Sequence, residues 1–206
     1  MTERYELPPD RLERWLQRWA SEHGGVVWTD ADAVSVTFGA ADGAVVTCTP
    51  PFPPLHGDLL AHVRRERTVG VLLVRLGGHA AGVFAGRRLV ASKVGSRPVH
   101  GRHRAGGSSS GRYARRREGQ ARVALEAAAA VAARVLAEPA RKGELDAIVL
   151  GGDRGALERV LGDRRLERLR PLVEPRVLAV PDPRLRVLER LPDRFLATLV
   201  DPRARG

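Results

Sequence analysis

The sequence predicts an α/β (α+β) protein in which a small N-terminal α+β unit precedes a larger mixed sheet with helices on its faces. Two observations predict this fold class. Within the first 60 residues, one helical pattern is followed by three short strand patterns. After residue 60, a three-stranded meander is followed by a long helix and then by strand, helix and strand. A hydrophobic content of 43% over 206 residues is sufficient for a real core.

The N-terminal unit, residues 1–60, begins with a helix. Pro9 sets its start, Gly24 ends it after His23, and Trp15 and Trp19 lie on its apolar face with Leu12 and Leu16. The tryptophans are interpreted as core anchors rather than as base-stacking platforms. Strands are predicted at 26–29, 33–38 and 44–48, and a short helix at about 58–67 leads away from the unit.

The second domain is predicted over residues 61–192. The continuous apolar run 69–76 indicates a central strand, and 80–85 and 89–94 complete a meander. A helix from Ser109 or Ser110 to near Glu138 carries an apolar stripe, and its serines can cap the N-terminus. The remaining predictions are strand 145–150, helix 154–161, short helix 166–169, strand 177–180 and a helix from 183 to 191. A sheet of this order is typical of the ribonuclease-H topology, and residues 193–206 are predicted to form a C-terminal tail.

The charge of the chain favours a polyanionic partner. The net charge is +11, with 33 arginines against only Lys93 and Lys142, although a GC-rich genome also enriches arginine. Cys48 is the single cysteine, which excludes an internal disulfide and a cysteine zinc site, and it is predicted to be a small buried residue on a strand. With no signal-like start and no apolar run long enough to span a bilayer, we expect a cytoplasmic location and no membrane partner.

The strongest functional signal is the segment of residues 99–112, here called the basic glycine loop. Its Gly106-Gly107 pair allows close approach of the backbone to a crowded centre. Arginines on both sides can neutralise phosphates, so the segment predicts an RNA contact. The predicted RNA-binding residues are Arg102, His103, Arg104 and Arg112, continued in the following helix by Arg115, Arg116 and Arg117.

Three other kinds of site have less support in the sequence. A metal site at His100 and His103 has no third ligand nearby, and the surrounding arginines repel a cation. A metal-dependent nuclease needs clustered carboxylates, whereas Asp146 and Asp153 are spread out. A serine nucleophile would need a base with an orienting carboxylate, so Ser108, Ser109 and Ser110 are better explained as spacer and helix cap.

A second glycine-rich motif, residues 151–155, follows a predicted strand and opens a predicted helix. Such a turn could hold phosphate at the helix N-terminus. It lacks the lysine of a P-loop and the glycine spacing of a dinucleotide site. We therefore interpret it as a tight turn.

Residues 106–118 carry a family likeness. Gly106, Gly107, Ser109, Arg112 and Arg115 match the Gly-Gly-Gln-Ser-x-x-Arg-Phe-x-Arg signature of archaeal and eukaryotic class I peptide-release factors, with tyrosine at 113 in place of phenylalanine. The resemblance covers about residues 68–190. It is closest to the divergent Vms-like release factors of ribosome quality control, and among them to the actinobacterial group of peptidyl-tRNA hydrolases.

The resemblance implies a release-factor-type domain that hydrolyses the peptidyl-tRNA ester at the peptidyl-transferase centre of the large ribosomal subunit. It implies no metal and no cofactor. The signature glutamine is Ser108 here, and the only amide in the domain is Gln120. Ser108 could hold the water, backbone N–H groups could carry catalysis, or Gln120 could act if the loop extends well past Tyr113. A non-catalytic rRNA- or tRNA-binding protein is the alternative.

Overall fold

The structure is a computed structural model that describes residues 4–75, 77–96 and 110–203, with only the backbone for 110–117. The chain divides into two units. The first contains the residues up to Glu66 together with those from Leu191 onward, and the second is Arg67–Arg190. The mixed α/β (α+β) class predicted from the sequence is confirmed by these elements.

The first unit is a five-stranded antiparallel sheet covered on one face by helix α1. The strand order is β1-β10-β4-β3-β2. Leu12 and Trp19 of α1 pack against Val46, Cys48 and Val200 of the sheet. Its elements are β1 (Tyr5–Leu7), α1 (Pro9–Glu22), β2 (Val26–Ala31), β3 (Val36–Ala40), β4 (Val45–Thr49), α2 (Leu59–Arg64), α7 (Pro192–Phe195) and β10 (Thr198–Arg203).

Two side chains confirm predictions for this unit. Trp19 is buried, as a core anchor should be, whereas Trp15, predicted to be one as well, is only half-buried. Cys48 is fully buried on β4, and this burial raises the pKa of its thiol to about 12. A thiol of this kind stays protonated at neutral pH and behaves as a small apolar side chain.

The prediction of a C-terminal tail at residues 193–206 is wrong for the part that the structure describes. Thr198–Arg203 forms β10, which pairs with β1 on one side and β4 on the other. Val200 in its middle is fully buried. The sequence of β10 contains a proline and has no clear strand pattern. The strand is stabilised by pairing with two strands that are distant in the chain, so it could not be predicted locally.

The second unit contains a five-stranded mixed sheet in the order β7-β6-β5-β8-β9. The strands β5, β6 and β7 form the predicted antiparallel meander, and β8 and β9 continue it in parallel with β5. Numbered within the unit, the order is 3-2-1-4-5 with only the second strand reversed, which confirms the predicted ribonuclease-H-like topology. The strands are β5 (Thr68–Arg75), β6 (Gly78–Ala85), β7 (Arg88–Ser96), β8 (Ala147–Gly152) and β9 (Val173–Leu178).

Helices cover this second sheet, as predicted. The backbone from Ser110 to Arg141 is helical throughout, with a π-helical turn between α3 and α4. Its apolar stripe, including Ala128, Ala132 and Leu136, packs onto Leu72 and Ile148 of the central strands. The helical elements are α3 (Ser110–Ala132), the π turn (Ala133–Ala137), α4 (Glu138–Arg141), α5 (Arg154–Leu161), a 3₁₀ helix (Arg164–Leu172) and α6 (Leu185–Glu189). In the three described ranges, no helix has both the length and the apolar character that a membrane span needs.

Candidate functional site

The basic glycine loop follows the edge strand β7 in the chain, and its last three residues, 110–112, belong to helix α3. Strand β7 ends at Ser96 and α3 begins at Ser110. The predicted site residues in the interval lie outside the described residues; these are Arg102, His103, Arg104, Gly106, Gly107, Ser108 and Ser109. For Arg112, Arg115, Arg116 and Arg117 the structure describes the backbone alone, within α3.

The end of strand β7, just before the loop, packs against a buried histidine. His79 of β6 pairs with Gly95 of β7 and is 3% exposed. A Cβ at Gly95 would overlap the imidazole of His79, so glycine is what allows β7 to lie on this ring. The sequence carries one signal for this contact, a glycine inside a strand pattern, and that signal alone does not predict it.

The helix after the loop begins with an unfavourable charge distribution. Positions 112, 115 and 116 share one side of α3, because residues three and four apart are neighbours on a helix. The first turn contains no acidic residue, and the first one along the helix is Glu118. A cation in the first turn of a helix opposes the macrodipole by about 0.3–1 kcal/mol, and here position 112 lies in that turn. A bound polyanion would offset this cost, so the arrangement favours an anionic partner.

The helix also fixes the position of Gln120. Because α3 begins at Ser110, Gln120 lies about 15 Å along its axis at 1.5 Å per residue. The helical backbone passes through Tyr113 without interruption, so the loop does not extend past that residue. The condition under which Gln120 was predicted to reach the ester is therefore not met, and its side chain is half-buried.

The two aspartates that flank β8 act as structural hydrogen-bond acceptors. Asp146, before β8, accepts a hydrogen bond from the backbone N–H of Thr68 at 2.7 Å. Asp153, after β8, accepts one from Ala156 at 2.7 Å. They stand at opposite ends of the strand, roughly 20 Å apart. The residues of this sheet therefore do not form the carboxylate cluster of a metal-dependent nuclease, and no metal-binding group of three or more His, Cys, Asp or Glu occurs in the described ranges.

The glycine motif at residues 151–155 is a tight turn, as interpreted from the sequence. Asp153 is the N-cap of α5, and its carboxylate accepts a hydrogen bond from the backbone N–H of Ala156. Gly152 has φ = 111° and its Cα lies against the backbone of Val74. A capping carboxylate at this helix N-terminus repels an anion, so the turn does not suit phosphate.

We expect the start of α3 to control the salt dependence of RNA binding. Replacing Arg115 and Arg116 together with alanine should lower the slope of log K against log salt by about one per lost phosphate contact. The matched control replaces Arg141 and Lys142 at the end of α4, which removes the same charge but takes it from ion pairs with Glu138. Filter binding of a structured RNA at several salt concentrations measures both slopes. Equal slopes for the two double variants would show that this face does not contact RNA.

The sheet, the long helix and the motif between them define a release-factor-like domain. The family model described as the Actinobacteria/chloroflexi VLRF1 release factor matches residues 67–201, and the chain therefore belongs to this family. The match covers the whole second unit and confirms the resemblance seen in the sequence.

Two solved structures are similar at low identity. One is the crystal structure of an archaeal translation termination factor, aRF1, with 15% identity, a TM-score of 0.46, and coverage of 90% of this chain and 61% of that chain. The other, titled only an archaeal protein, has 13% identity and a TM-score of 0.38, with 89% and 69% covered. The chain thus spans less than two thirds of the length of the termination factor. No curated protein matches it.

Proposed function

We propose that this protein is a ribosome-associated peptidyl-tRNA hydrolase that acts as a release factor in ribosome rescue or translation quality control. Membership of a release-factor family is consistent with a role at the ribosome. In this function the basic glycine loop carries Gly106 and Gly107 to the peptidyl-tRNA ester at the peptidyl-transferase centre. Such a factor acts in the cytoplasm and requires no metal or cofactor.

The observation that carries the proposal is the unbalanced basic start of α3 directly after the Gly-Gly pair. Arg112, Arg115 and Arg116 occupy one side of a helix whose first turn has no acid. The cation at position 112 opposes the helix macrodipole, and RNA phosphates beside this face would offset that cost. A glycine pair joined to a phosphate-binding helix is suited to entering an RNA-walled cavity.

The proposed reaction is the hydrolysis of a carboxylic ester. Water attacks the carbonyl carbon, the bond to the ribose oxygen breaks, and the water proton passes to that oxygen, which leaves free peptide and tRNA. Backbone N–H groups at the Gly-Gly pair stabilise the developing oxyanion. The hydroxyl of Ser108 holds the attacking water, in the position where the signature has glutamine.

We expect Ser108→Ala and Gln120→Ala to have unequal effects on release. Loss of one positioning hydrogen bond at Ser108 should slow single-turnover release by about tenfold or more. Gln120→Ala should change it by less than about twofold, because Gln120 lies about 15 Å along α3. The measurement is the release of labelled peptide from purified stalled ribosome–nascent-chain complexes. A large loss with Gln120→Ala alone would contradict the role assigned to Ser108.

The second candidate is a non-catalytic rRNA- or tRNA-binding protein. The absence of glutamine at position 108 favours it. It predicts ribosome binding by the wild-type chain without release from stalled 70S complexes, 50S complexes or free peptidyl-tRNA. Release from any of these three substrates excludes it.

A further inference from the structure

The first unit contains a cleft that its core does not fill. Its volume is about 470 Å³, within the range of small-molecule and cofactor sites. It lies between helix α1, strands β1 and β10, and the turn before β4. The lining residues are Tyr5, Trp15, Arg18, Trp19, Glu22, His23, Asp42, Ala44, Pro202 and Arg203.

Aromatic rings form one side of the cleft. Tyr5 and Trp15 meet edge to face with ring centroids 5.6 Å apart, and Trp19 and His23 lie 5.2 Å apart. Trp15 is half-buried and the His23 side chain is 32% exposed, so part of this surface faces the opening. Burial raises the pKa of Tyr5, against the opposing effects of Trp15 and Arg18, so its hydroxyl remains protonated at neutral pH. Such walls suit a planar heteroaromatic ring.

The acidic groups of the cleft are largely occupied. Asp42 accepts a hydrogen bond from the N–H of Ala44 and lies 2.9 Å from the Nδ1 of His23. Glu22 lies 3.8 Å from Arg18, and both side chains are more than 60% exposed, which makes this a weak surface pair.

Two cations remain for a ligand. Arg203 is exposed, and its side chain has no ion pair or hydrogen bond with the described part of the chain. Arg18 is held only by the weak pair with Glu22. Guanidinium groups at the mouth of an aromatic cleft suit a phosphate attached to the ring-bearing ligand.

We propose that this cleft binds a nucleotide, with the base against Trp15 and His23 and the phosphate at Arg18 and Arg203. The ligand is either a free 5′-nucleotide or an unpaired nucleotide of an RNA strand, which share this chemistry. The proposal does not rest on ester hydrolysis, because every residue that carries it lies in the first unit.

The test uses tryptophan fluorescence of the full chain in a Trp28→Phe background. Trp28 packs over Gly39 outside the cleft, so its removal leaves Trp15 and Trp19 as the reporters. The four 5′-nucleoside monophosphates, ribose 5-phosphate and a short single-stranded RNA are titrated separately. We expect saturable quenching by at least one nucleotide or by the RNA, and none by ribose 5-phosphate.

Arg18→Ala and Arg14→Ala form the matched pair of variants. Both residues are exposed on α1, but Arg14 does not line the cleft. We expect Arg18→Ala to weaken the affinity for the quenching ligand about tenfold, and Arg14→Ala to weaken it less than twofold. Quenching by monophosphates identifies a free nucleotide, and quenching by RNA alone identifies an RNA-borne one. The proposal is overturned by equal losses in the two variants, by equal binding of ribose 5-phosphate, or by no saturable quenching up to about 10 mM ligand.

Discussion

Replacing Gly152 with alanine is expected to destabilise the second unit by about 3 kcal/mol or more. Gly152 ends β8 with φ = 111°, a backbone conformation that L-residues rarely adopt. A Cβ there would overlap the carbonyl oxygen of Val74, which also accepts a hydrogen bond from the N–H of Asp153. The substitution must therefore separate β8 from the neighbouring strand β5 or distort the turn into α5.

The measurement is thermal unfolding followed by circular dichroism, where this loss corresponds to a fall in Tm of roughly 6–12 °C. Gly155→Ala is the matched control. Gly155 lies three residues further on, in α5, and a Cβ there has its nearest neighbour at 3.6 Å, which is ordinary contact. Alanine at this helical position should be neutral or stabilising by up to about 1 kcal/mol. If both variants lower Tm equally, the turn does not require glycine at position 152.

Elements with local signals could be predicted from the sequence. Helix α5 begins and ends at the predicted residues, because Asp153 caps it and its apolar spacing is regular. The central strand β5 follows from its continuous apolar run. Strands β1 and β10 could not be predicted, since β1 has only three residues, β10 contains a proline, and both are stabilised by pairing with strands distant in the chain.

The candidate sites divide in the same way. The glycines and arginines of the basic glycine loop are contiguous, so a motif revealed them. The packing of His79 under Gly95 joins two strands, and no local pattern marked it. The cleft of the first unit is lined by residues of β1, α1, the turn before β4 and the end of β10, and the sequence predicts only a tail at the last of these. Sites assembled by tertiary structure need the sheet order before they can be recognised.

Gly107→Ala is expected to lower the rate of peptide release by about 100-fold. The added Cβ restricts the backbone and obstructs close approach to the crowded centre around the ester. Binding to the ribosome should change little, because the arginines that contact phosphate are retained. The matched control is Gly119→Ala in α3, where a Cβ would have no neighbour within 4 Å and where alanine favours the helix.

The most direct measurement of the central claim is single-turnover release of labelled peptide from a purified stalled ribosome–nascent-chain complex, with binding to the same complex measured in parallel. We expect the wild-type chain and Gly119→Ala to bind and release, and Gly107→Ala to bind but release about 100-fold more slowly. Release that is unchanged by Gly107→Ala would contradict the delivery of the Gly-Gly pair to the ester.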